Sequence, residues 1–262
     1  MRRTWGLAIP SYFVATDYCC HPTVEQCELD GYFISAEGQI EEFTAVGIPE
    51  DRIIVSGIPV RQPFYHKGDS ALARQALELP ETDTVILLMC GSMGCGPIPV
   101  LTHNLMDQIP ENTFVVAVCG SNEALYHQVS AIKDPRLRVL GFTDRISEYM
   151  DAADLIITKP GGLSSTEAAN KGLPMVFVNF VGGCESRNFN YFLERGYAVG
   201  SGVVKEAAEQ AAALAADKVH REAISQALRE NFTINSGTYI ADILMEQGRK
   251  YREGQKEAAG VV

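Results

Sequence analysis

The stretch Thr158-Lys159-Pro160-Gly161-Gly162-Leu163-Ser164-Ser165-Thr166-Glu167-Ala168 decides how this chain is read. An apolar run from Asp154 to Ile157 leads into it, and a helix-like run leaves it and stops near Gly172. Two adjacent glycines at a strand-to-helix turn let the main chain pass close to a ligand, because neither carries a Cβ. Free N–H groups at the helix start then face an anion, aided by the helix dipole. Glu167 follows about one turn into the helix, within reach of hydroxyls on the same ligand. The plainer reading is an ordinary strand–turn–helix with Ser164 or Ser165 as N-cap, since short glycine motifs match by chance.

Outward from this turn the pattern alternates. Toward the N-terminus, strands are expected at 84–90, 114–119 and 136–142, with helices at 97–108, 122–132 and 145–152 between them. Toward the C-terminus come a strand at 174–180, a helix ending near Arg195, a short strand at 197–200, and helices at 204–216, 218–231 and 236–250. The tail from Gly254 is expected to fray. Strands separated by helical runs specify a parallel sheet with helices on both faces.

Ahead of Arg61 the pattern is thinner. Strands are expected at 11–17, 32–35 and 52–56, with one helix at 37–46 stopped by Gly47. Residues 57–69, with Pro59 and Pro63, read as a connector. A full Rossmann-type half needs roughly twice as many strands as this front part holds. The domains expected are therefore 1–60, a partial Rossmann-like unit that lacks its first half, and 61–262, a complete one.

Composition narrows the partners. The chain has 262 residues, 46% hydrophobic and 21% charged, enough for a substantial core. Its net charge of −11 argues against nucleic acid as a partner. It leaves a membrane surface open, because a local basic face fits inside an acidic total. No apolar run approaches the ~20 residues of a spanning helix. Seven cysteines without framework spacing suit a reducing compartment. Cys19, Cys20, His21 and Cys27 lack the two-residue gap of zinc ligands, so no metal is expected.

Four turns follow carboxyl ends of the rear strands and should open at one rim. Gly91-Ser92-Met93-Gly94 offers amides and a hydroxyl to a diphosphate; it is neither a Walker A loop nor GxGxxG, and no cofactor is expected. Gly141-Phe142-Thr143-Asp144 offers an aromatic ring beside backbone groups, suited to a planar base, although Phe142 could equally be core. The Gly161 to Glu167 turn offers a carboxylate to a diol such as ribose. Gly182 to Asn188 offers Glu185 and Asn188 to sugar hydroxyls, or simply an acidic residue at a helix start. Together they make a coherent nucleotide-sugar site.

On these residues the chain resembles glycosyltransferase family 28, of the GT-B fold. It is similar to monogalactosyldiacylglycerol synthase and the processive diacylglycerol glucosyltransferases, and more distantly to the N-acetylglucosaminyltransferase that completes lipid II. The resemblance is carried by Ala15-Thr16-Asp17 with His21-Pro22, by Asp30-Gly31-Tyr32, by Gly57-Ile58-Pro59-Val60, and by Cys119-Gly120-Ser121-Asn122. The four rim turns carry it further, above all Lys159 to Glu167. It implies Gly91, Ser92 and Gly94 near the diphosphate, Phe142 and Thr143 at uracil, and Glu167 at the ribose. It implies Gly161, Gly162, Ser164 and Ser165 along the phosphate turn, and Glu185 and Asn188 facing the hexose. It implies that Asp17 faces the acceptor. Asp17 is the base candidate in the front part, with His21 as the alternative; the plainer readings are a carboxylate that caps the following turn and a structural histidine. Cys184 stands where the family usually has Gln, which leaves the hexose open. The family's opening Gly-rich loop is not matched, so the resemblance implies a chain that starts late.

The expected activity is inverting transfer of a hexose from a UDP-sugar to a lipid acceptor, diacylglycerol, by a cytoplasmic protein held peripherally at the inner face of the membrane. Two other readings stand beside it. One is a nucleotide-sugar-binding subunit that a second chain completes by supplying the missing half. The other is a UDP-sugar epimerase of the same architecture. The last helix, with Ile240, Ile243 and Leu244 followed by Arg249, Lys250 and Arg252, reads as a surface helix with a cationic end or as a docking element for anionic lipid.

Overall fold

The structure, a computed structural model, describes residues 9–91, 96–178 and 180–258. The chain divides into two compact units, one formed by residues up to Val60 with those from Ile234 onward, the other by Arg61–Thr233. The last helix, expected at the end of the second unit, groups with the first.

The first unit holds a three-stranded parallel sheet in the order β1 (Tyr12–Val14), β2 (Gly31–Ile34), β3 (Ile53–Val55). All four residues of β2 are buried, as a central strand covered on both faces must be. Its side chains Tyr32 and Ile34 pack with Phe43 and Ile48 around helix α1 (Ile40–Ala45). The expected helix at 37–46 is a 3-10 turn, Glu37–Gln39, running into α1. Gln39 explains the tight start: its buried Oε1 accepts from the amides of Ser35 and Ala36, both at 2.9 Å. The expected strand at 11–17 pairs over only three residues.

The second unit is a six-stranded sheet, parallel throughout. Its strands are β4 (Thr84–Met89), β5 (Thr113–Val118), β6 (Leu137–Leu140), β7 (Leu155–Thr158), β8 (Met175–Val178) and β9 (Ala198–Ser201). The spatial order is β6-β5-β4-β7-β8-β9. Counted within the unit this is 3-2-1-4-5-6, the Rossmann order. Apolar runs such as Leu155-Ile156-Ile157 and Met175-Val176-Phe177-Val178 are wholly buried, which a strand with helices on both faces requires.

The helices of this unit are α2 (Ser70–Ala76), α3 (Ile98–Met106), α4 (Glu123–Ser130), α5 (Ile146–Ala152), α6 (Gly162–Asn170), α7 (Cys184–Glu194), α8 (Val204–Ala216) and α9 (Lys218–Asn231). Several begin where a short polar side chain satisfies an amide with no intrahelical acceptor. Asp69 accepts from Leu72 N at 3.0 Å, Asn122 from Leu125 N at 2.9 Å and Asp217 from His220 N at 2.9 Å. Helix α8 buries Ala207, Ala208, Ala211, Ala212 and Ala215, and small side chains let it lie close to β8 and β9.

The connector is not slack. Phe64 in its 3-10 turn is buried, and Lys171, 1% exposed at the end of α6, donates to the His66 carbonyl at 3.1 Å and to Asp151 Oδ1 at 2.6 Å. Asp151 also accepts from Gly68 N at 2.7 Å. The last helix, α10 (Ser236–Ala258), runs eight residues beyond the expected stop at Lys250, straight through Gly254. Residues 251–258 are mostly good helix formers, which outweigh the roughly 1 kcal/mol that one glycine costs. At its start Ser236 meets Gly57, whose φ is +75° and where a Cβ would stand 2.5 Å from Ser236 Oγ.

Candidate active site

In an open sheet of this order ligands bind outside the carboxyl ends of the strands, at the point where strand order reverses. That point lies between β4 and β7, paired Ile86 to Leu155 through Leu88 to Ile157. The turn after β4 contains Gly91, with φ +83° and open space where a Cβ would go. Ser92 and Gly94, expected in the same turn, lie outside the described residues. After β7 comes the quoted stretch. Gly161 is the N-cap of α6, and a Cβ there would also meet nothing within 4 Å.

Helix α6 starts at Gly162 and has nine residues. By position, the amides of Gly162, Leu163 and Ser164 have no intrahelical acceptor. Ser164 is partly exposed, whereas Ser165 is fully buried and its hydroxyl has no hydrogen-bond partner among the described residues. Ser165 therefore sits beneath the rim rather than along it. Glu167 lies one turn on, half-buried. Burial lifts its carboxyl above the ordinary range, and the nearby Arg61 guanidinium pulls the other way. Arg61, the first residue of the second unit, stacks on the Phe64 ring at 5.0 Å.

After β6, Phe142 is 73% exposed, so it is not core. It borders an open concavity of about 720 Å³ shared with Gly120, Asn122, Tyr126, His127 and Gly141. The neighbouring Thr143 accepts from Arg145 N through Oγ1 at 3.1 Å, shaping the start of α5. Strands β6 and β7 are three spacings apart, roughly 14 Å at ~4.8 Å each. A nucleoside diphosphate sugar laid along the rim covers that span.

The turn between β8 and α7 differs from expectation. Glu185 accepts from Lys159 Nζ at 2.8 Å through Oε1 and from Val181 N at 2.9 Å through Oε2. Asn188 is wholly buried, and its Nδ2 donates to the Pro160 carbonyl at 3.0 Å. In this arrangement Asn188 braces the turn that leads into α6. Asp17 and His21 belong to the first unit. Asp17 follows β1 and its carbonyl accepts from Ser35 Oγ at 2.6 Å and Gln39 Nε2 at 3.3 Å. His21 is exposed, with Nδ1 2.6 Å from the Pro22 carbonyl. A carbonyl only accepts, so in this contact Nδ1 is the donor.

The rim thus gathers Gly91, Phe142, Gly161, Gly162, Ser164, Glu167 and Glu185 at carboxyl ends of one sheet. Lys159 and Arg61 were given no role from sequence. The signal for Lys159 was its place immediately after β7, one strand from the Glu185 turn.

The rear sheet and its glycine-lined rim are those of GT-B proteins. Solved structures agree. Acinetobacter baumannii MurG superposes with a TM-score of 0.69 at 19% identity, covering 94% of this chain and 68% of that one. Anabaena HepE, solved in complex with UDP, gives 0.62 at 17%, covering 90% and 72%. Two family models match, the glycosyltransferase family 28 C-terminal domain over residues 85–198 and monogalactosyldiacylglycerol (MGDG) synthase over residues 3–60. The processive diacylglycerol β-glucosyltransferase of Bacillus subtilis strain 168 is 30% identical over 261 residues, 97% of this chain and 67% of that protein. Its counterpart in Bacillus cereus strain G9842 is 30% identical over 254 residues, 94% and 64%. The chain belongs to glycosyltransferase family 28. It spans about two thirds of the length of these curated relatives. Among the described residues no helix is long and apolar enough to cross a membrane.

Proposed function

We propose that the chain is an inverting hexosyltransferase that moves a hexose from a UDP-sugar to the hydroxyl of diacylglycerol, working peripherally at the cytoplasmic face of a membrane. The observation that carries this is the open start of α6 at the strand-order reversal, with Glu167 one turn behind it. Amides of Gly162, Leu163 and Ser164, with the α6 dipole, would hold the diphosphate and stabilise it as it leaves. Glu167 would accept from the ribose hydroxyls, and the exposed Phe142 ring would stack on uracil. Glu185 would receive hydroxyls of the hexose.

Inversion needs the acceptor oxygen to attack the anomeric carbon from the face opposite the diphosphate, with a base taking its proton. Asp17 and His21 are the candidates. The names of the relatives favour transfer over epimerisation or binding alone.

The test is direct. The purified chain is titrated with UDP, then incubated with UDP-glucose and diacylglycerol vesicles, and the product's anomeric configuration is read by NMR. Failure to bind any uridine diphosphate compound would sink the reading. Binding without turnover, restored by a second polypeptide, would make the chain a donor-binding subunit. Turnover lost in Asp17→Asn but kept in His21→Gln, or the reverse, with UDP affinity unchanged, would identify the base.

A further inference from the structure

Glu185 and Asn188 stand one helical turn apart and share a face of α7. That face meets two consecutive residues of the neighbouring turn. Lys159 Nζ lies 2.8 Å from Glu185 Oε1, and the Pro160 carbonyl accepts from Asn188 Nδ2 at 3.0 Å. Gly161 and the open start of α6 follow at once. Strands β7 and β8 are adjacent and parallel, with Thr158 opposite Phe177, so both turns leave the sheet at the same rim.

The ion pair is not a solvated one. The Lys159 and Glu185 side chains are only 26% and 23% exposed, so it is screened less than the surface pairs that contribute little. A carboxylate has about four lone-pair directions. Lys159 and the Val181 amide take one on each oxygen. The carboxylate is thereby fixed in orientation and, among the described residues, keeps a second direction on each oxygen for hydroxyl donors.

We propose that Lys159 is a positioning residue for the donor hexose. Its ammonium aims Glu185 and joins the sugar-facing turn before α7 to the phosphate turn before α6, so that the two recognise the donor as one unit. This rests on the reading of the rim as a UDP-sugar site. It assigns the lysine no contact with the diphosphate. Without the ammonium, Glu185 would keep its tie to Val181 but swing about it, and hydroxyls of the wrong epimer would be accommodated.

The experiment compares the wild-type chain, Lys159→Gln and Lys159→Arg by calorimetry with UDP, UDP-glucose and UDP-galactose, and by thermal melting. The expected result is that UDP affinity stays within about twofold, while the ratio of affinities for the two sugar nucleotides falls by about tenfold in Lys159→Gln, the size of one charge-assisted hydrogen bond. Lys159→Arg, which keeps the charge, should recover at least half of that ratio on a logarithmic scale. A purely structural bridge would lower the melting temperature and weaken all three ligands in parallel, and that pattern would overturn the proposal. So would an unchanged ratio in Lys159→Gln, or a wild type that binds UDP but does not discriminate the sugars. A wild type that binds none of the three would remove the reading of the rim itself, and this proposal with it.

Discussion

Replacing Glu167 by glutamine separates two effects of placing a carboxylate in a half-buried turn of α6. Burial raises that carboxyl above its ordinary 4.5, with Arg61 opposing. A carboxyl whose pKa is higher in the folded chain holds more protons there than in the unfolded one. Stability then falls as pH rises from 4.5 through the raised value. Below that window both states are protonated and the penalty is absent; above it the penalty is complete. Glutamine has no such penalty. Glu167→Gln should match wild type at about pH 4 and melt higher at neutral pH, the gap opening as pH rises.

Binding should move the opposite way. A hydrogen bond to a charged acceptor contributes about 1.5–3 kcal/mol and a neutral one about half that. The loss in Glu167→Gln is then about 0.75–1.5 kcal/mol, a fall in UDP affinity of roughly three- to twelvefold. Glu167→Ala, which removes the acceptor altogether, should lose about 10- to 100-fold. Thermal melting between about pH 4 and pH 8 and calorimetry with UDP read both effects. If Glu167→Gln binds UDP as tightly as wild type, the ribose role is wrong. A melting gap of the same size at both ends of the range would refute the burial argument.

Asp151→Ala strands the Lys171 ammonium, 1% exposed, beside the His66 carbonyl and the Phe64 ring. The cost should be about 3–5 kcal/mol in urea unfolding, and adding Lys171→Met should recover most of it; equal losses in the single and double variants would contradict this. Phe142→Ala should leave stability within about 0.5 kcal/mol, because the ring is 73% exposed. It should nonetheless weaken UDP binding by about 1–3 kcal/mol, the contribution of one base–aromatic stack, as calorimetry would report. Gly200→Ala places a Cβ 2.7 Å from Phe177 N, across the β8–β9 pairing. A loss of about 1–3 kcal/mol is expected, with faster amide exchange at 198–201 than at β4.

The rear sheet was legible because buried parallel strands write themselves as unbroken apolar runs, and Gly91, Gly141 and Gly161 punctuate their ends. Periodicity says which residues share a face, not what that face meets. Asn188 was therefore read toward the rim, when its side chain is buried against Pro160. The resemblance places Ser165 along the phosphate turn, yet its position in the helix turns it inward, where it is fully buried. The last helix was legible as a helix, but nothing in its own pattern says that its start belongs against Gly57. The connector looked irregular because of Pro59 and Pro63, and the buried Phe64, the anchor that holds it, is a single residue without a period. The tie between Lys159 and Glu185 joins residues 26 positions apart, visible only once β7 and β8 are known to be neighbours.

The reversal of strand order also sets a kinetic problem. Most neighbouring strands of the rear sheet are joined by short excursions, Val115 meeting Leu137 and Ile156 meeting Met175. The β4–β7 ladder instead brings Ile86 to Leu155, with two other strands and three helices threaded between. Closing the longest excursion costs the most chain entropy and is rewarded only when the seam zips. The seam at the strand-order reversal is thus the one whose closure costs the sheet the most chain entropy, and a ligand bound across it would act as a clasp, slowing the chain's first step toward coming apart.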